Sequence, residues 1–336
     1  MRACFLQFKI DQFKSEFKKP LHIEDQEILT KRGVYLTLTD ELGKHGIGEL
    51  SNLPGYHQQS FEEDLVQLEG LLAKIIDEPF QFLHFDKSKP LYNLFSLDSF
   101  GDCSTTVKFA LESALLDWYE NRAPEFFQKK VGFDPRGLKL KMNALYVPGE
   151  ESHSIEALTQ YWIKNKITTV KIKIGRQDLA KDIALIQEIQ KFGQGKFKLR
   201  LDANRGLTIE GLTELCRNIK TSWVEYFEEP FESYGDYFSY DVPKDMALAL
   251  DESLPAILEQ GQFPACLKAW VIKPTTVHGL SETFRLIDQA NMLKYYAVIS
   301  STYESSYGLK LLKILANYQN QSTPTACGLD TLRYLK

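Results

Sequence analysis

The sequence has few of the features that mark secreted, membrane-spanning or metal-thiolate proteins. Its 336 residues include five cysteines, which are scattered, odd in number and without a C-x-x-C pair. No stretch approaches the ~18 consecutive apolar residues that would span a bilayer. Residues 1–19 alternate apolar and charged side chains without a continuous apolar core, so we do not expect a signal peptide. Free thiols in a reducing compartment are the simplest interpretation, and we expect a cytoplasmic protein.

An excess of charge of one sign is also missing. The 40 Lys and Arg residues against 45 Asp and Glu residues give a formal net charge of −5. This mild acidic balance offers no electrostatic reason to bind nucleic acid or an anionic membrane surface, and neither partner is expected. Hydrophobic residues make up 43% and charged residues 25%, which is typical of a globular protein and argues against a disordered chain. No G-x-G-x-x-G follows a predicted strand, so nothing indicates a dinucleotide site.

Two patterns of different period divide the chain. In the first hundred or so residues, alternating segments such as 2–9 and 33–40 predict antiparallel strands, and helical periodicity follows over 61–76 and 104–122. From about residue 138, short runs rich in β-branched residues alternate with amphipathic helices at the spacing of one βα unit. The predicted strands of this second part are 140–147, 169–174, 198–202, 224–228, 247–251, 269–273, 296–300 and a weaker 324–327.

Eight parallel strands with helices between them predict a (β/α)8-type barrel. The last unit has no room for its own helix, so we expect an α/β fold of the (β/α)7β modified TIM barrel type with an α+β N-terminal capping domain. The predicted capping domain comprises 1–108, completed by about 320–336, and the predicted catalytic barrel comprises 109–319. A doubly wound open sheet is the alternative topology.

Charged side chains occupy the predicted C-terminal ends of the strands, where barrel enzymes carry their chemistry. Lys171 and Lys173 are two residues apart and therefore share a face. Their apolar neighbours should face the helices, so both lysines should point into the barrel. Asp202, Glu228 and Asp251 end the next three strands. Unpaired charges inside a barrel would cost several kcal/mol each, so these groups must compensate one another or a bound ion.

Three carboxylates on consecutive strands suit Mg2+, and the lack of Cys or His among them argues against zinc. Glu229 and Glu252 are alternative ligands by composition, although strand parity favours their neighbours Glu228 and Asp251. Acidic residues at strand ends are also often helix caps. A lysine beside a bound cation and a second lysine should lose proton affinity and become a usable base. Such a set suits abstraction of a proton α to a carboxylate, with the ion holding the resulting enediolate.

These strand-end motifs resemble a known pattern. K-x-K at 171–173, D-A-N at 202–204, E-E-P at 228–230, D-E-S at 251–253 and K-P at 273–274 are similar to the muconate-lactonizing branch of the enolase superfamily. The segments 46–55, 298–306 and 328–331 most resemble its o-succinylbenzoate synthase family. Asn52 stands where that family usually has proline, which leaves the capping-loop contacts open.

The resemblance implies a lyase with a small-molecule carboxylate as its substrate. The implied reaction is the Mg2+-dependent syn-dehydration of 2-succinyl-6-hydroxy-2,4-cyclohexadiene-1-carboxylate (SHCHC) to 2-succinylbenzoate in menaquinone biosynthesis, with Mn2+ as a possible substitute. Asp202, Glu228 and Asp251 would bind the metal. The implied catalytic residues are Lys173 as general base and acid, Lys273 as a cation over the face of the intermediate, and Lys171 to hold the carboxylate and tune Lys173. The implied substrate-binding residues are Asn204 and the backbone near Ser300, Ser301 and Gly328.

Three other functions remain open on the sequence. A dipeptide epimerase or N-acylamino acid racemase, or a muconate cycloisomerase, could use the same constellation. A racemase would need a lysine working on each face of the substrate, whereas the dehydration needs only one. A non-catalytic barrel should show a broken ligand set, and the set here is complete. Metal-independent aldolase chemistry through a Schiff-base lysine is the third alternative.

Overall fold

The N-terminal part of the chain forms a three-stranded antiparallel sheet followed by two helices. The computed structural model describes residues 6–23, 26–75, 103–123, 128, 139–150, 152–239, 246–277 and 279–336. Within these, the strands are β1 (Gln7–Ile23), β2 (Gln26–Thr39) and β3 (His45–Leu50), and the helices are α1 (Phe61–Ile75) and α2 (Thr105–Arg122). Residues 2–5 of the first predicted strand and residue 76 of the first predicted helix lie outside the described part.

The first strand is much longer than the sequence pattern predicted. β1 pairs with β2 from Gln7 opposite Thr39 to Ile23 opposite Gln26, with one irregularity between residues 16 and 21. The alternation of apolar and charged side chains continues along this segment, and pairing with β2 satisfies its backbone. This hairpin reaches from the capping sheet to the mouth of the barrel.

Helix α1 begins with a capping box formed by Ser60 and Glu63. Ser60 N and Ser60 Oγ each donate to Glu63 Oε2 at 2.8 Å, and Glu63 N donates back to Ser60 Oγ at 3.2 Å. These bonds satisfy amide groups that have no partner inside the first turn. Helix α2 begins at its cap Ser104, whose side chain accepts from Val107 N.

The second part of the chain forms a curled parallel sheet with helices outside it. The strands lie in chain order, and their bounds are β4 (Ala144–Tyr146), β5 (Thr169–Lys173), β6 (Lys198–Asp202), β7 (Val224–Glu228), β8 (Leu248–Leu250), β9 (Leu267–Ile272) and β10 (Tyr296–Ile299). The helices are α3 (Ile155–Lys164), α4 (Leu179–Gly193), α5 (Ile209–Asn218), α6 (Asp236–Ser239), α7 (Leu254–Gln260), α8 (Gly279–Met292) and α9 (Ser306–Asn320). Six strands lie inside their predicted ranges, and β9 begins two residues earlier. In the described part of the chain, no helix has the length and apolar character needed to cross a membrane.

Two residues near the C-terminus close the barrel. Cys327 N donates to Lys141 O at 2.9 Å, and Gly328 N donates to Ile299 O at 2.9 Å. The pair therefore bridges the segment before β4 on one side and β10 on the other, both in parallel orientation. The weak predicted strand at 324–327 thus occupies the eighth position. The expected capped (β/α)7β barrel is confirmed, and the doubly wound open sheet is excluded.

Side chains alternate across the barrel wall as strand parity predicts. Leu199 and Leu201 on β6 belong to the large apolar core between sheet and helices. Arg200, between them, points inward and lies 4.9 Å from the ring centroid of Tyr226. The inward side chains at this level also include a small apolar cluster of Ala249, Ala269, Val271 and Val298. The charged residues at the C-terminal ends of the strands therefore lie directly above a packed barrel interior.

The capping sheet and the C-terminal segment together cover the barrel mouth. Phe17 forms an isolated bridge with Leu335, and Lys336 N donates to Glu16 O at 2.8 Å. A second apolar cluster forms there from Phe17, Ile28, Leu53 and Leu335, with Tyr56, Tyr303 and Tyr334 packed against it. We call these seven residues together the aromatic roof. The exact residue boundaries of the two domains stay a prediction.

Candidate active site

A cavity of about 350 Å3 lies between the capping hairpin and the C-terminal ends of the barrel strands. The end of β1 and the aromatic roof form its upper wall. Its floor includes the predicted lysines of β5 and the lysine that follows β9, and its side includes the predicted substrate residues Ser300, Ser301 and Gly328. Seven of the ten sequence-predicted site residues therefore line one cavity, and Asp202, Glu228 and Asn204 are not among them.

Two lysines of β5 share the carboxylates of the next two strands. Lys171 Nζ lies 2.7 Å from Asp202 Oδ2 and 2.6 Å from Glu228 Oε1. Lys173 Nζ lies 2.6 Å from the same Asp202 oxygen. Both lysines point inward, as parity predicts, while Asp202 and Glu228 are buried beneath them. One carboxylate thus faces two ammonium groups, and a second carboxylate faces one.

Lys273 approaches from the other side of the barrel. It follows β9, the sixth of eight positions, whereas Lys171 and Lys173 lie on β5, the second. Lys273 Nζ donates to Asp251 Oδ2 at 2.6 Å and lies 4.2 Å from the ring centroid of Tyr56. The side chain is buried, with 6% of the residue exposed. Lysines therefore reach the cavity from two opposite directions.

Burial and ion pairing oppose each other in this cluster. Burial favours the neutral form of Asp202, but Lys171 and Lys173 outweigh it and hold the pKa of this carboxyl well below its usual value. Burial raises the pKa of Asp251 to about 6 even though Lys273 pairs with it. Burial likewise raises the pKa of Glu228 despite the nearby Lys171. Two of the three carboxylates therefore lie where more positive charge would stabilise them.

Lys171 and Lys273 are ion-paired in the structure, and the loss of proton affinity expected beside a bound cation stays a prediction. Desolvation by burial lowers the pKa of each ammonium, but nearby carboxylates outweigh it and the pKa of both lysines is raised. The physical reason is distance, because each ammonium lies 2.6 Å from a carboxylate oxygen.

The donor chemistry of this cluster fits Mg2+. Carboxylate oxygens of Asp202, Glu228 and Asp251 come from three adjacent strands, and two of these groups are short of positive charge. Among the residues that the structure describes, no three His, Cys, Asp or Glu side chains already converge as a cation site. The ammonium groups of Lys171 and Lys273 lie against the carboxylates instead. The ligand set stays a prediction that rests on donor type, burial and charge.

Glu229, which the sequence offered as an alternative metal ligand, holds two loops together in the structure. Its backbone has a φ of 41°, and its side chain turns away from the strand-end cluster. Its Oε2 accepts from Asp251 N at 2.8 Å, and its Oε1 accepts from Arg205 Nε at 3.2 Å and from Ser253 Oγ. Both oxygens are committed to the loops after β6 and β8. This agrees with the preference for Glu228 that parity suggested.

Asn204 lies beside the predicted base. Its Oδ1 accepts from Lys173 Nζ at 2.6 Å, and its Nδ2 donates to Glu252 Oε1 at 3.1 Å. The other oxygen of Glu252 is buried without a hydrogen-bond partner in the described part of the chain. The resemblance implied that Asn204 binds substrate, which stays a prediction, and in the structure its side chain contacts Lys173.

The amides expected to receive the substrate have other partners. Ser300 N donates to Ile272 O, Ser301 N donates to Gly328 O, and Gly328 N donates to Ile299 O, at 2.9 to 3.1 Å. Closing the barrel therefore uses all three N–H groups. Ser300, Ser301 and Gly328 line the cavity, and their role in substrate binding stays a prediction.

A buried polar network that sequence reasoning missed joins the two motif segments. Glu304 Oε2 accepts from Ser301 Oγ at 2.6 Å and from Thr302 N at 2.8 Å. Glu49 of β3 accepts from Ser305 N at 3.0 Å and from Gly308 N at 3.1 Å. The segments 46–55 and 298–306 thus meet at the junction of capping sheet and barrel. Their family resemblance was the available signal, but only the fold shows that they touch.

Comparison with known proteins gives one family. Residues 154–324, half of the chain, match the model described as enolase C-terminal domain-like. An o-succinylbenzoate synthase from Aliivibrio salmonicida (strain LFI1238) is 28% identical and covers 98% of this chain and 91% of its own. The L-Ala-D/L-Glu epimerase from Bacillus subtilis has a TM-score of 0.78 at 19% identity, covering 100% of this chain and 92% of its own. A dipeptide epimerase from Methylococcus capsulatus, complexed with Mg and the dipeptide L-Arg-D-Lys, has a TM-score of 0.78 at 18% identity, with 99% and 92% covered. At these identities the solved structures establish likeness of fold.

Proposed function

Because the chain belongs to the enolase C-terminal domain-like family, we propose that it is an o-succinylbenzoate synthase. It removes water from SHCHC to form 2-succinylbenzoate, a step of menaquinone biosynthesis, in the cytoplasm. The observation that carries the proposal is the arrangement of lysines, with an inward pair on β5 and a third across the cavity. The similarity to curated o-succinylbenzoate synthases over almost the whole chain supports the choice of reaction.

Lys173 is the proposed base and acid. In its neutral form its Nζ accepts the proton α to the substrate carboxylate, and the C–H electron pair moves into the ring. The ring then expels the hydroxyl group, and Lys173 returns the proton to the departing oxygen, so that water leaves from the face on which the proton was taken. Asp202 and Asn204, each 2.6 Å from Nζ, orient the amine during both transfers.

Lys171 and Lys273 are proposed to act while charged. Lys171 lines the cavity and its Nζ already lies 2.6 Å from a carboxylate oxygen of Glu228, so it is placed to pair with the substrate carboxylate. Lys273 places its positive charge over the flat, electron-rich ring that forms during the reaction. A two-base racemase would instead have Lys273 give a proton to, or take one from, the reacting carbon.

Mg2+ is the proposed cofactor, with Mn2+ as a substitute, and its proposed ligands are Asp202, Glu228 and Asp251. When bound, it would supply Lewis-acid stabilisation of the negative charge that proton removal places on the substrate. The burial of these three carboxylates keeps water away from the charged cluster.

A dipeptide epimerase or N-acylamino acid racemase is the second candidate. The observation that favours it is that Lys173 and Lys273 reach the cavity from opposite sides, as a two-base mechanism requires. In that reaction each lysine would exchange a proton on one face of the same carbon.

The test is an ultraviolet assay for loss of the SHCHC diene. We expect turnover with Mg2+, none after treatment with EDTA, and recovery when Mg2+ is restored. Lys173→Ala should abolish both dehydration and exchange of the substrate proton with deuterated solvent, whereas Lys273→Ala should slow dehydration and leave exchange by Lys173 detectable. Deuterium incorporation into both enantiomers of a dipeptide or an N-acylamino acid, without loss of SHCHC, would overturn the proposed function in favour of the second candidate.

A further inference from the structure

A loop of the capping domain contacts the lysine that follows β9. Residues 53–57 form a turn in which Tyr56 N donates to Leu53 O at 3.1 Å and Leu53 N donates to His57 Nδ1 at 2.9 Å. The turn carries the ring of Tyr56 into the cavity, where its centroid lies 4.2 Å from Lys273 Nζ. This distance is within the range of a cation–π contact.

Two neighbouring groups restrict the position of the Lys273 ammonium. Lys273 is buried, and an ammonium has three donors. One donates to Asp251 Oδ2 at 2.6 Å, and the ring of Tyr56 covers a second direction. Asp251 comes from the barrel and Tyr56 from the cap, so the two domains hold the charge between them. Lys273 also lines the cavity.

Tyr56 is itself held in place by the capping domain. It packs within the aromatic roof, next to Leu53 and Tyr303. The capping hairpin, the loop after β3 and the C-terminal segment build this roof, and among its described members Tyr303 comes from the barrel, in the loop after β10. The position of the Tyr56 ring therefore depends on the docking of the cap.

We propose that Tyr56 is a positioning residue that holds the Lys273 ammonium through its aromatic face, so that the charge points at the substrate ring. This inference rests on the proposed function, in which Lys273 acts as a cation. During turnover the ammonium lies between two π faces, one from Tyr56 and one from the substrate. Tyr56 thus makes the capping domain part of the charge stabilisation, in addition to any role in closing the cavity.

The experiment compares Tyr56→Leu with Tyr56→Phe, in the wild-type background and in Lys273→Met. Leucine keeps apolar bulk but lacks the π face, and phenylalanine keeps the face but lacks the hydroxyl. We expect Tyr56→Leu to lower kcat for SHCHC by about 5- to 30-fold with a smaller change in KM, and Tyr56→Phe to retain most of the wild-type kcat. In Lys273→Met, the same Tyr56→Leu change should have no further effect on kcat. An equal loss in both backgrounds would show that Tyr56 acts through packing alone and would overturn the proposal.

A second readout is independent of the reaction. In protein with 15N-labelled lysine, the Lys273 ammonium signal, assigned by its loss in Lys273→Met, should carry an upfield ring-current shift. The shift should persist in Tyr56→Phe and vanish in Tyr56→Leu. An unchanged signal in Tyr56→Leu would refute the contact. Absence of SHCHC turnover in the wild type, with the ring-current shift present, would instead reject the proposed function and leave the positioning contact standing.

Discussion

Replacing Gly48 with alanine should destabilise the protein strongly, because β3 and α2 touch there through their backbones. A Cβ placed on Gly48 would lie 1.9 Å from Ala110 O and 2.9 Å from Ala114 N, whereas ordinary contacts begin at 3.4 Å. Both atoms belong to the backbone of α2, so no side-chain rotation relieves the clash. In a closely packed interior the helix would have to move away from the sheet by about 1.5 Å.

The cost follows from what α2 buries. Phe109 and Trp118 on this helix are fully buried, and moving the helix would loosen their packing. Overpacking costs about 1–3 kcal/mol where side chains adjust, and opening gaps around large core residues adds to it. We therefore expect Gly48→Ala to lower the free energy of unfolding by at least about 3 kcal/mol. At roughly 2 °C per kcal/mol for a chain of this size, Tm should fall by about 6 °C or more.

Thermal unfolding followed by far-ultraviolet circular dichroism measures this change. Gly70→Ala is the matched control, because Gly70 lies on the exposed side of α1 and no heavy atom of the described residues comes within 4 Å of its added Cβ. The control should be neutral or stabilise by up to about 1 kcal/mol through helix propensity. A Gly48→Ala protein with a Tm within about 2 °C of the wild type would refute the backbone contact between β3 and α2.

Two further predictions concern the site and the pH dependence of stability. Asn204→Ala removes an acceptor of Lys173 and should lower kcat by about 10-fold or more with little change in KM, as steady-state kinetics would reveal; an unchanged kcat would contradict the orienting role. Glu112 accepts from Leu280 N and Ser281 N, and burial raises its pKa to about 7, above the usual 4.5. The folded state thus binds the Glu112 proton more tightly than the unfolded state does. Glu112 therefore contributes up to about 3 kcal/mol to the free energy of unfolding below pH 4.5, and this contribution is lost as the pH rises to 7. As the pH rises from 4.5 to 7, the Tm of Glu112→Gln should therefore increase relative to the Tm of the wild type. Tm profiles of the two proteins that run parallel over this range would contradict the prediction.

Strand parity and strand ends were readable from the sequence because both are local. Lys171 and Lys173 face inward since side chains two residues apart share a side of a strand. Asp202 and Glu228 lie near each other because parallel strands place their C-terminal ends at one edge. These rules need only the positions of the strands, and the apolar runs supply those positions.

The hydrogen-bonding and strand-pairing partners of the site segments could not be predicted from the sequence, because they come from segments far apart in the chain. Closing the barrel through Cys327 and Gly328 uses the amide of Ser301, which local pattern left open to a substrate. The length of β1 became clear only through its pairing with β2.

The sequence by itself thus determined the barrel class, the inward lysines and the order of the carboxylates, since periodicity and strand ends encode them directly. Tertiary structure alone decided that Asn204 accepts a hydrogen bond from Lys173 and that the ring of Tyr56 lies over Lys273. The physical reason is that packing of the cap on the barrel, and the desolvation that follows, sets which neighbour each buried charge has.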